Sequence, residues 1–581
     1  MVLPKVSRRE SRAAAVGESA ANSAANSATN SATNSASNSA VKSTAKSAVW
    51  LATVRSWRVV LMAWAAIVVG LGDERPAEAA RPNIVWILVE DMSAHFSCYG
   101  EKTIATPEVD RLAKEGTRFE RAFVTAPICS TSRSALITGR YQTSIGAQHH
   151  RSGRGQVRIT LPKGAAPVTQ QFREAGYFTC NGSWPTPPDR AGGGKGAPVE
   201  TVAKGWAEGR PMTPGKTDYN FDWPTPIYDG ADWSERKPGQ PFFAQVQLHG
   251  GKYRDAANWR QRAERLLPSL TDAQSVALPP YYPRVPGILD DWANYLDAVR
   301  FTDKQVGEVR RRLANEGLLD NTVIFFLTDH GISHARGKQF LYDEGIRVPL
   351  VVRGPGIAAA AVRGDLVEHI DLAASSLALA GIGRPAGLPG RELFASASSA
   401  SAAPPRDAVF AARDRADETV DHLRSVRTER FKYIRNFLPE RPHLQANAYK
   451  DNKPCLIALR KAHADGVLDA VQQTLFAPRR PAEELYDLTN DPWEIRNLAA
   501  DPAHRGTLET LRERLERWME ETGDQGRNPE SREQFASDMR VYLMDMKRNP
   551  ERRSEIEANI AGQGFAPIDL KSIDLDKKTA P

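Results

Sequence analysis

Cysteine is scarce in this chain, with only four in 581 residues: Cys98, Cys129, Cys180 and Cys455. Cysteines so few and so far apart do not form the framework of a disulfide-stabilised scaffold. Long apolar runs are missing as well. A membrane-spanning helix needs about 20 apolar residues, whereas the longest largely apolar run, residues 59–71, has thirteen. The sequence therefore excludes a disulfide-rich scaffold and a multi-span membrane protein.

The chain also lacks a strong charge of one sign, because 77 Lys and Arg face 70 Asp and Glu, a formal net charge of +7. Hydrophobic residues make up 41% and charged residues 25%, which is typical of a globular protein. Nine basic and five acidic residues lie in residues 1–80, so the rest of the chain carries only +3. We therefore expect no nucleic-acid partner. Affinity for an anion must come from a few specifically positioned charged groups and not from the net charge.

Residues 1–80 show two patterns that do not build a core. Residues 19–48 are near-repeats of Ala, Asn, Ser and Thr, a composition that predicts disorder. Two arginines, the apolar run 59–71 and the Ala-Glu-Ala at 77–79 then follow in the order of an export signal. We expect a disordered leader and signal peptide on an exported protein that is periplasmic, on the cell surface or secreted. A permanent membrane anchor is the less favoured alternative.

The body of the chain alternates strand and helix patterns. Continuous apolar runs at residues 83–89 and 322–328 predict buried parallel strands, and residues 348–352 predict a third buried strand. A threonine, a proline and a later glycine bound a predicted helix at 107–115, and residues 299–313 have amphipathic helical spacing. The pattern is typical of an open α/β sheet with its site at the carboxyl edge.

The composition and the strand–helix pattern change after about residue 390, and this change sets the predicted domain boundaries. We expect a catalytic domain over residues 81–392 and a linker in the Ala/Ser/Pro stretch at 395–405. Alternation within residues 424–437 predicts an antiparallel strand pair in a smaller subdomain at 406–500. Residues 501–581 are charged and carry apolar residues at helical spacing, which predicts a helical tail.

Polar residues with metal-binding chemistry follow two of the predicted strands. Glu90 and Asp91 come directly after the first, and Asp329 and His330 directly after the strand at 322–328. Strand-end acids are often only solvated, but two pairs meeting at one sheet edge favour a site for a hard divalent cation.

A third signal is the segment CSTSRSALITGR, which begins at Cys129. A cysteine at the N-terminus of a predicted helix, with Arg133 four residues later, lies where the helix dipole and a cation both favour an anion. On this segment alone, a structural cysteine is an equally good interpretation.

The same segment resembles the sulfatase signature, in which a cysteine followed by x-Pro-x-Arg is oxidised to formylglycine. The resemblance spans about residues 81–500 and continues, in the family's order, through PNIVWILVED, TPEVDRLAKEGTRFERAF, FFLTDHG, GKQFLYDEGIRVPLVVRGPG and ELYDLTNDPWEIRNL. It implies the alkaline-phosphatase-like α/β fold, a large mixed sheet flanked by helices with a smaller C-terminal α+β subdomain. The motifs are most similar to those of heparan N-sulfatase-like members.

Carried over residue by residue, the resemblance implies hydrolysis of sulfate esters or N-sulfate groups by formylglycine formed from Cys129. It implies calcium ligands at Glu90, Asp91, Asp329 and His330. It also implies that the sulfate is held by Arg133, Lys216, Lys338 and His249. Of these, His249, helped by Lys338, is implied to protonate the leaving group. The implied partners are a sulfated carbohydrate substrate and a formylglycine-generating or analogous maturation enzyme.

Four positions depart from the commonest family pattern. Thr131 replaces proline or alanine in the modification motif, which bears on whether Cys129 is converted. Glu90 replaces an aspartate, and His330 stands where many members have asparagine. Asp218 occupies the place of a histidine that helps to eliminate sulfate. The candidates to take over that task, all predicted to line the substrate site, are Asp218, His149 and His150.

Two other functions remain open on the sequence. The same fold and metal site serve relatives that hydrolyse phosphoesters or phosphonates, so the substrate could carry phosphorus. A non-catalytic protein that binds sulfated glycans would keep the anion pocket and leave Cys129 as a thiol. The sugar, O- against N-sulfate, exo against endo action and the oligomeric state are not specified by any motif.

Overall fold

The computed structural model describes residues 81–187, 207–223, 226–395 and 404–568. The predicted leader, export signal and most of the predicted linker lie outside these residues. Within the described segments, no helix combines the length and the apolar character that crossing a membrane requires.

A mixed sheet of eight strands, in the order β4-β3-β5-β1-β6-β7-β2-β8, forms the centre of the larger part of the fold. The strands are β1 Asn83–Val89, β2 Thr117–Phe123, β3 Phe178–Ser183, β4 Thr213–Pro214, β5 Phe242–Leu248, β6 Thr322–Thr328, β7 Arg347–Arg353 and β8 Ala361–Glu368. The neighbours β3, β5, β1 and β6 are parallel. Every residue of β1 and β6 is buried, so these two predicted strands are confirmed.

The third predicted strand, residues 348–352, is buried within β7 but runs antiparallel to both β6 and β2. The chain leaves β6 at the carboxyl edge and enters β7 from that same edge, with no crossover to the other end of the sheet. The connection over residues 329–346 therefore stays beside the carboxyl edge, where it carries several of the predicted site residues.

Helices cover both faces of this sheet. They are α1 Pro107–Glu115, α2 Cys129–Thr138, α3 Val168–Glu174, α4 Trp259–Leu266, α5 Pro286–Asn315, α6 Asp343–Ile346 and α7 Asp371–Leu379. The predicted helix at 107–115 is confirmed as α1, and residues 299–313 form the second half of α5, a helix of 30 residues. One hydrophobic core lies between the sheet and α5, and the other packs α2 and α7 against the opposite face.

A second sheet of four antiparallel strands, in the order β12-β11-β10-β9, follows in the chain. Its strands are β9 Val409–Arg413, β10 Leu423–Arg427, β11 Phe431–Asn436 and β12 Glu483–Asp487. The antiparallel pair predicted within residues 424–437 is confirmed as β10 and β11. The apolar faces of these strands bury Val426, Tyr433 and Leu485 together with Leu508 and Trp518 of the tail.

The remaining helices are α8 Ala448–Asp451, α9 Pro454–Ala464, α10 Ala470–Gln473, α11 Arg505–Glu521, α12 Arg532–Asp545 and α13 Pro550–Gly562. The predicted helical spacing in the tail is confirmed by α11, whose Leu508, Leu511, Leu515 and Trp518 are buried. Helices α12 and α13 share a small core with Ala448, the first residue of α8. The C-terminal helices thus pack on the body of the protein.

Candidate active site

The site is assembled where strands of the large sheet end. Glu90 and Asp91 follow β1, Asp329 and His330 follow β6, and His249 follows β5. Parallel strands present their carboxyl ends at one edge, so residues far apart in sequence meet there. Helix α2, which starts at Cys129 after β2, opens at the same edge.

Asp91, Cys129, Asp329 and His330 form one buried group, in which one ligand atom from each residue lies within 4.8 Å of the others. His330 Nε2 is 3.2 Å from Asp91 Oδ1 and 3.5 Å from Asp329 Oδ1. His330 Nδ1 lies 2.8 Å from the carbonyl oxygen of Gly331 and donates to it, which turns Nε2 towards the carboxylates. This donor set suits a divalent cation.

Without a metal ion, the same proximity shifts the pKa of His330. Burial alone would lower that pKa, but Asp329 and the Cys129 thiolate outweigh burial and raise the pKa to about 10. The His330 imidazolium therefore neutralises the nearby carboxylates, as a bound cation would. A metal ion and the His330 proton compete for one lone pair.

Glu90 lies beside this group but does not join it. Its carboxylate contacts Arg133 Nη2 at 3.0 Å, Lys216 Nζ at 2.8 Å and Lys252 Nζ at 2.5 Å. Burial opposes ionisation, but Lys216 and Lys252 outweigh it and hold the pKa of Glu90 well below its ordinary value. Glu90 thus organises the neighbouring cations in this structure, and its role as a metal ligand stays a prediction.

Cys129 begins α2, and no side chain caps the end of that helix. The first amides of a helix lack intrahelical partners and favour negative charge. Cys129 Sγ lies 3.1 Å from Lys338 Nζ and 3.2 Å from His330 Nε2. Burial would raise the pKa of the thiol, but Lys338 and Lys216 hold it well below its ordinary value. The surroundings of position 129 therefore favour an anionic side chain.

Lys338 reaches this position from the connection between β6 and β7. Its buried Nζ donates to Asp91 Oδ1 at 3.1 Å and lies 3.3 Å from Tyr449 Oη. Burial would lower the pKa of Lys338, but Asp91 and Cys129 raise it well above its ordinary value, so the ammonium is charged at neutral pH.

Arg133, one turn into α2, ties the strand ends together. Its guanidinium donates to Asp329 Oδ2 at 3.2 Å, Glu90 Oε1 at 3.0 Å and Gln247 Oε1 at 2.8 Å. A planar guanidinium binds several acceptors at once, so Arg133 connects the ends of β1, β5 and β6 at this edge.

Lys216 and His249 lie towards the solvent. The Lys216 side chain is 36% exposed and pairs with Glu90 and with Asp218 Oδ2, the latter at 3.0 Å. The imidazole of His249 is exposed and meets the ring of Tyr253 edge-on, with centroids 4.9 Å apart. Both residues are therefore accessible from solvent, and their contact with a substrate stays a prediction.

The two histidines of the predicted loop point in different directions. His150, Asp218 and Cys129 each place one ligand atom within 4.8 Å of the others, so His150 and Asp218 line the site opposite the strand ends. His149 does not join them, because its Nδ1 faces the backbone amide of Arg415 at 3.4 Å and Glu530 Oε2 at 3.9 Å.

Sequence patterns did not indicate several residues of this site. Lys252 contacts Glu90, and Tyr449 Oη donates to Asp91 Oδ2 at 3.0 Å across 358 residues of sequence. Asp417 Oδ1 lies 3.1 Å from His150 Nδ1. Only Lys252 had a usable signal, since it follows His249 by three residues after a buried strand. Tyr449 lies in the four-residue helix α8 and Asp417 in a turn, and neither segment has a local sequence pattern.

Fold and site together define a hydrolase of the alkaline-phosphatase-like class. The chain belongs to the sulfatase family, because the family model described as Sulfatase matches residues 82–382. A second model, described as N-sulphoglucosamine sulphohydrolase, C-terminal, matches residues 330–451. The protein is therefore a sulfuric ester hydrolase, and the resemblance found in its motifs is confirmed.

Relatives with known names agree with this assignment. An ulvan-active sulfatase of Formosa agariphila is 30% identical over 496 residues, which is 78% of this chain and 77% of that protein. Human N-sulphoglucosamine sulphohydrolase is 26% identical over 507 residues, 79% of this chain and 93% of that protein. The solved structure of a 2-O GAG sulfatase is 18% identical, covers 77% of this chain and 94% of its own, and superposes with a TM-score of 0.51. The last likeness supports the fold.

Proposed function

We propose that this protein removes sulfate groups from a sulfated glycan, using formylglycine formed from Cys129 and a calcium ion held beside it. One observation carries the proposal: Cys129 Sγ, at the start of α2, lies 3.1 Å from the Lys338 ammonium and within 4.8 Å of Asp91, Asp329 and His330. A nucleophile, a cation site and a fixed positive charge are what transfer of an anionic sulfuryl group requires.

A carbohydrate substrate is favoured by the relatives. One named relative acts on ulvan and another on N-sulphoglucosamine. The partly exposed cations at the mouth of the site suit an anionic ligand, and Lys216 is one of them. Both O-sulfated and N-sulfated sugars are candidate substrates.

Calcium fits the residues present on the strand-end side. The carboxylates of Asp91 and Asp329 supply the hard oxygen donors that this ion prefers, and His330 would present Nε2 to the same point after losing its proton. Calcium bound there would neutralise charge on a sulfate oxygen. Glu90 would need to leave Lys252 or Lys216 to become a further ligand.

Formylglycine fits position 129, since the side chain there begins a helix and faces Lys338. When present, its hydrated aldehyde supplies the nucleophilic oxygen. Around it, Arg133 orients Asp329 and Glu90, and Lys216 and Lys338 hold the charge of the sulfate. His249, at the exposed rim, donates the proton that the departing oxygen or nitrogen needs.

Export is part of the same proposal. The arginines, apolar run and small-residue motif within residues 55–79 support removal of a signal peptide and work outside the cytoplasm. N-terminal sequencing of protein recovered from the periplasm or medium is expected to start close after residue 79. A full-length protein retained in the cytoplasm would contradict export.

The decisive experiment produces the chain with and without a formylglycine-generating enzyme and analyses the peptide around residue 129 by mass spectrometry. We expect an aldehyde there only with the maturation enzyme, accompanied by sulfate release from O- or N-sulfated glucosamine and little release of phosphate from a matched phosphomonoester. Cys129→Ala is expected to lower the rate by about 10⁴-fold or more, because the nucleophile is lost.

Cys98→Ala is the matched control, because Cys98 is a half-buried free thiol outside the buried metal-fitting group. It is expected to keep wild-type activity. An unmodified Cys129 after production with a competent maturation enzyme, or sulfate release that survives Cys129→Ala, would overturn the proposed chemistry.

A further inference from the structure

His150 is a buried imidazole with one unpartnered ring nitrogen. It is 3% exposed, its Nδ1 faces Asp417 Oδ1 at 3.1 Å, and its Nε2 makes no hydrogen bond within the described residues. Buried polar groups nearly always have partners, so such a ring is expected to serve a ligand or a proton transfer. A ring nitrogen lies within 4.8 Å of both Cys129 Sγ and a carboxylate oxygen of Asp218.

Asp218 is poorly suited to act as a base. Its carboxylate pairs with Lys216 Nζ at 3.0 Å and with Arg154. Burial would raise the pKa of Asp218, but Lys216 and Arg154 outweigh it and hold that pKa well below its ordinary value. A carboxylate so strongly neutralised takes up a proton reluctantly at neutral pH.

His149 is excluded by its orientation. Its Nδ1 faces the amide of Arg415 and the carboxylate of Glu530, away from Cys129. Burial lowers the pKa of His149 to about 4. Of the three candidates for this side of the site, only His150 combines access to position 129 with an uncommitted ring nitrogen.

Asp417 gives His150 its orientation. Its Oδ1 lies 3.1 Å from His150 Nδ1 and 3.7 Å from Arg151 Nε. With Nδ1 facing this carboxylate, Nε2 is the nitrogen left to accept a proton. Asp417, Arg151 and Asp218 all have positive φ values, 52°, 58° and 57°. Non-glycine residues in that region are strained and occur where surrounding structure holds a functional site in place.

The C-terminal helices keep this arrangement in place. Arg415 Nη1 donates to the carbonyl oxygens of His150 at 3.1 Å and Asp417 at 2.9 Å. The same guanidinium is held by Asp538 of α12 at 2.7 Å and by Glu530 at 2.7 Å. Asp538 also accepts from the amide of Gly153 at 3.0 Å, in the loop that carries His150.

We propose that His150, oriented by Asp417 and held in place by the C-terminal helices through Arg415, is the base that completes turnover at position 129. This role rests on the proposed function. His150 Nε2 takes the proton that an oxygen on the side chain at position 129 loses as sulfate departs. The electron pair of that O–H bond forms the carbonyl bond, and the pair of the breaking C–O bond leaves with sulfate. The proton then passes from Nε2 to solvent.

The first test compares His150→Gln with His149→Gln in protein whose conversion at position 129 has been verified. His150→Gln is expected to lower kcat by about 10²-fold, the usual contribution of a general base. Quenched reactions should contain a peptide spanning position 129 that is heavier by one sulfuryl group, because the second half of the reaction is slowed. His149→Gln should show neither effect. Wild-type kcat in His150→Gln, or no heavier peptide, would overturn the role.

The second test does not depend on turnover and uses unconverted protein with ¹³C-labelled histidine rings. In NMR spectra, Asp417→Asn is expected to shift the ring-carbon resonances of His150, because the carboxylate that faces Nδ1 is replaced by a neutral amide. The groups that also face this ring, Cys129, Asp218 and Arg151, are unchanged in that variant. Unchanged His150 ring resonances would overturn the pairing. A wild-type protein that releases no sulfate, while the NMR shift occurs, would overturn the proposed function alone.

Discussion

Two walls of the active site differ in how the chain builds them. The strand-end wall consists of Glu90, Asp91, Asp329 and His330, which directly follow β1 and β6. The loop wall consists of His150, Asp218 and Asp417, which come from three irregular segments far apart in sequence. Backbone hydrogen bonds between strands place the first wall, because β1 and β6 pair in register from Asn83 opposite Thr322 onward.

The loop wall has no such ladder and depends on buried ion pairs. Arg415 joins it to Glu530 and Asp538, and both ends of each pair are removed from solvent. Removing one partner of a buried pair costs about 3–5 kcal/mol, because a charge is left uncompensated. The difference between the walls is that strand pairing tolerates change at single side chains, whereas the loop wall depends on each of a few charges.

Metal binding is expected to give the largest difference between the two walls. Asp329→Asn removes a carboxylate 3.5 Å from His330 and 3.2 Å from Arg133. We expect sulfate release to fall by about 10³-fold. Wild-type protein at a calcium concentration of 100 times Kd should gain about 2.7 kcal/mol of stability. Asp329→Asn should lose that gain, as measured by the calcium dependence of Tm in scanning calorimetry.

Asp218→Asn on the loop wall is the comparison variant. It should lower activity and yet keep the calcium-dependent rise in Tm, because Asp218 is outside the group formed by Asp91, Cys129, Asp329 and His330. If Asp218→Asn abolished the rise, or Asp329→Asn kept it, the division between the two walls would be wrong.

A smaller effect is expected from the tail. Asp538→Asn weakens the contacts to Arg415 and Gly153. We expect about a tenfold lower kcat through displacement of His150. The loss of stability should be about 2 kcal/mol, below the ~3–5 kcal/mol of a fully broken pair, because Arg415 keeps its pair with Glu530. Calcium should still raise Tm by the wild-type amount. Steady-state kinetics and urea unfolding measure these effects.

Asp545→Asn on the same helix α12 is the control for the tail. Asp545 is exposed, so its replacement should change neither kcat nor stability. Equal effects from Asp538→Asn and Asp545→Asn would mean that α12 acts only as a packed helix, with no influence on the loop wall.

The smallest effect on activity is expected behind the loop wall, at His149. Burial lowers the pKa of His149, His369 and His443 to about 4 and that of His334 and His422 to about 3. The unfolded chain, with histidine pKa near 6.5, therefore binds more protons once the pH falls below that value. Stability should be fully present above about pH 6.5 and lost as the pH falls towards 4.

His149→Gln isolates one of these contributions. Between about pH 7.5 and pH 5, each such histidine should account for about 2 kcal/mol of lost stability. Urea unfolding of His149→Gln should show a correspondingly smaller loss, with kcat near that of the wild type. An unchanged pH dependence would mean that the His149 imidazole already titrates near its ordinary pKa in the folded protein.

The sequence predicted the strand-end wall because its signals are local. An apolar run such as Asn83–Val89 predicts a buried strand, and the polar residues after it mark the edge. The direction of β7 was not predictable in this way, because Val348 to Val352 look the same whether the chain returns directly or crosses over. The position of α1 was predicted, but the contact at its first turn was not: Asp303 of α5 accepts from the amide of Val109 at 2.8 Å, across 194 residues of sequence.

Taken by itself, the sequence determined the family, the proposed nucleophile position at Cys129 and the convergence of two acidic strand ends. Tertiary structure alone decided that Glu90 faces Lys252 and Arg133, and that His150 faces the site while His149 does not. It also decided that Asp417 and Tyr449 belong to the site. The physical reason is that strand and helix patterns are repeated over neighbouring residues, whereas the orientation of a loop side chain depends on charges that distant segments bring against it.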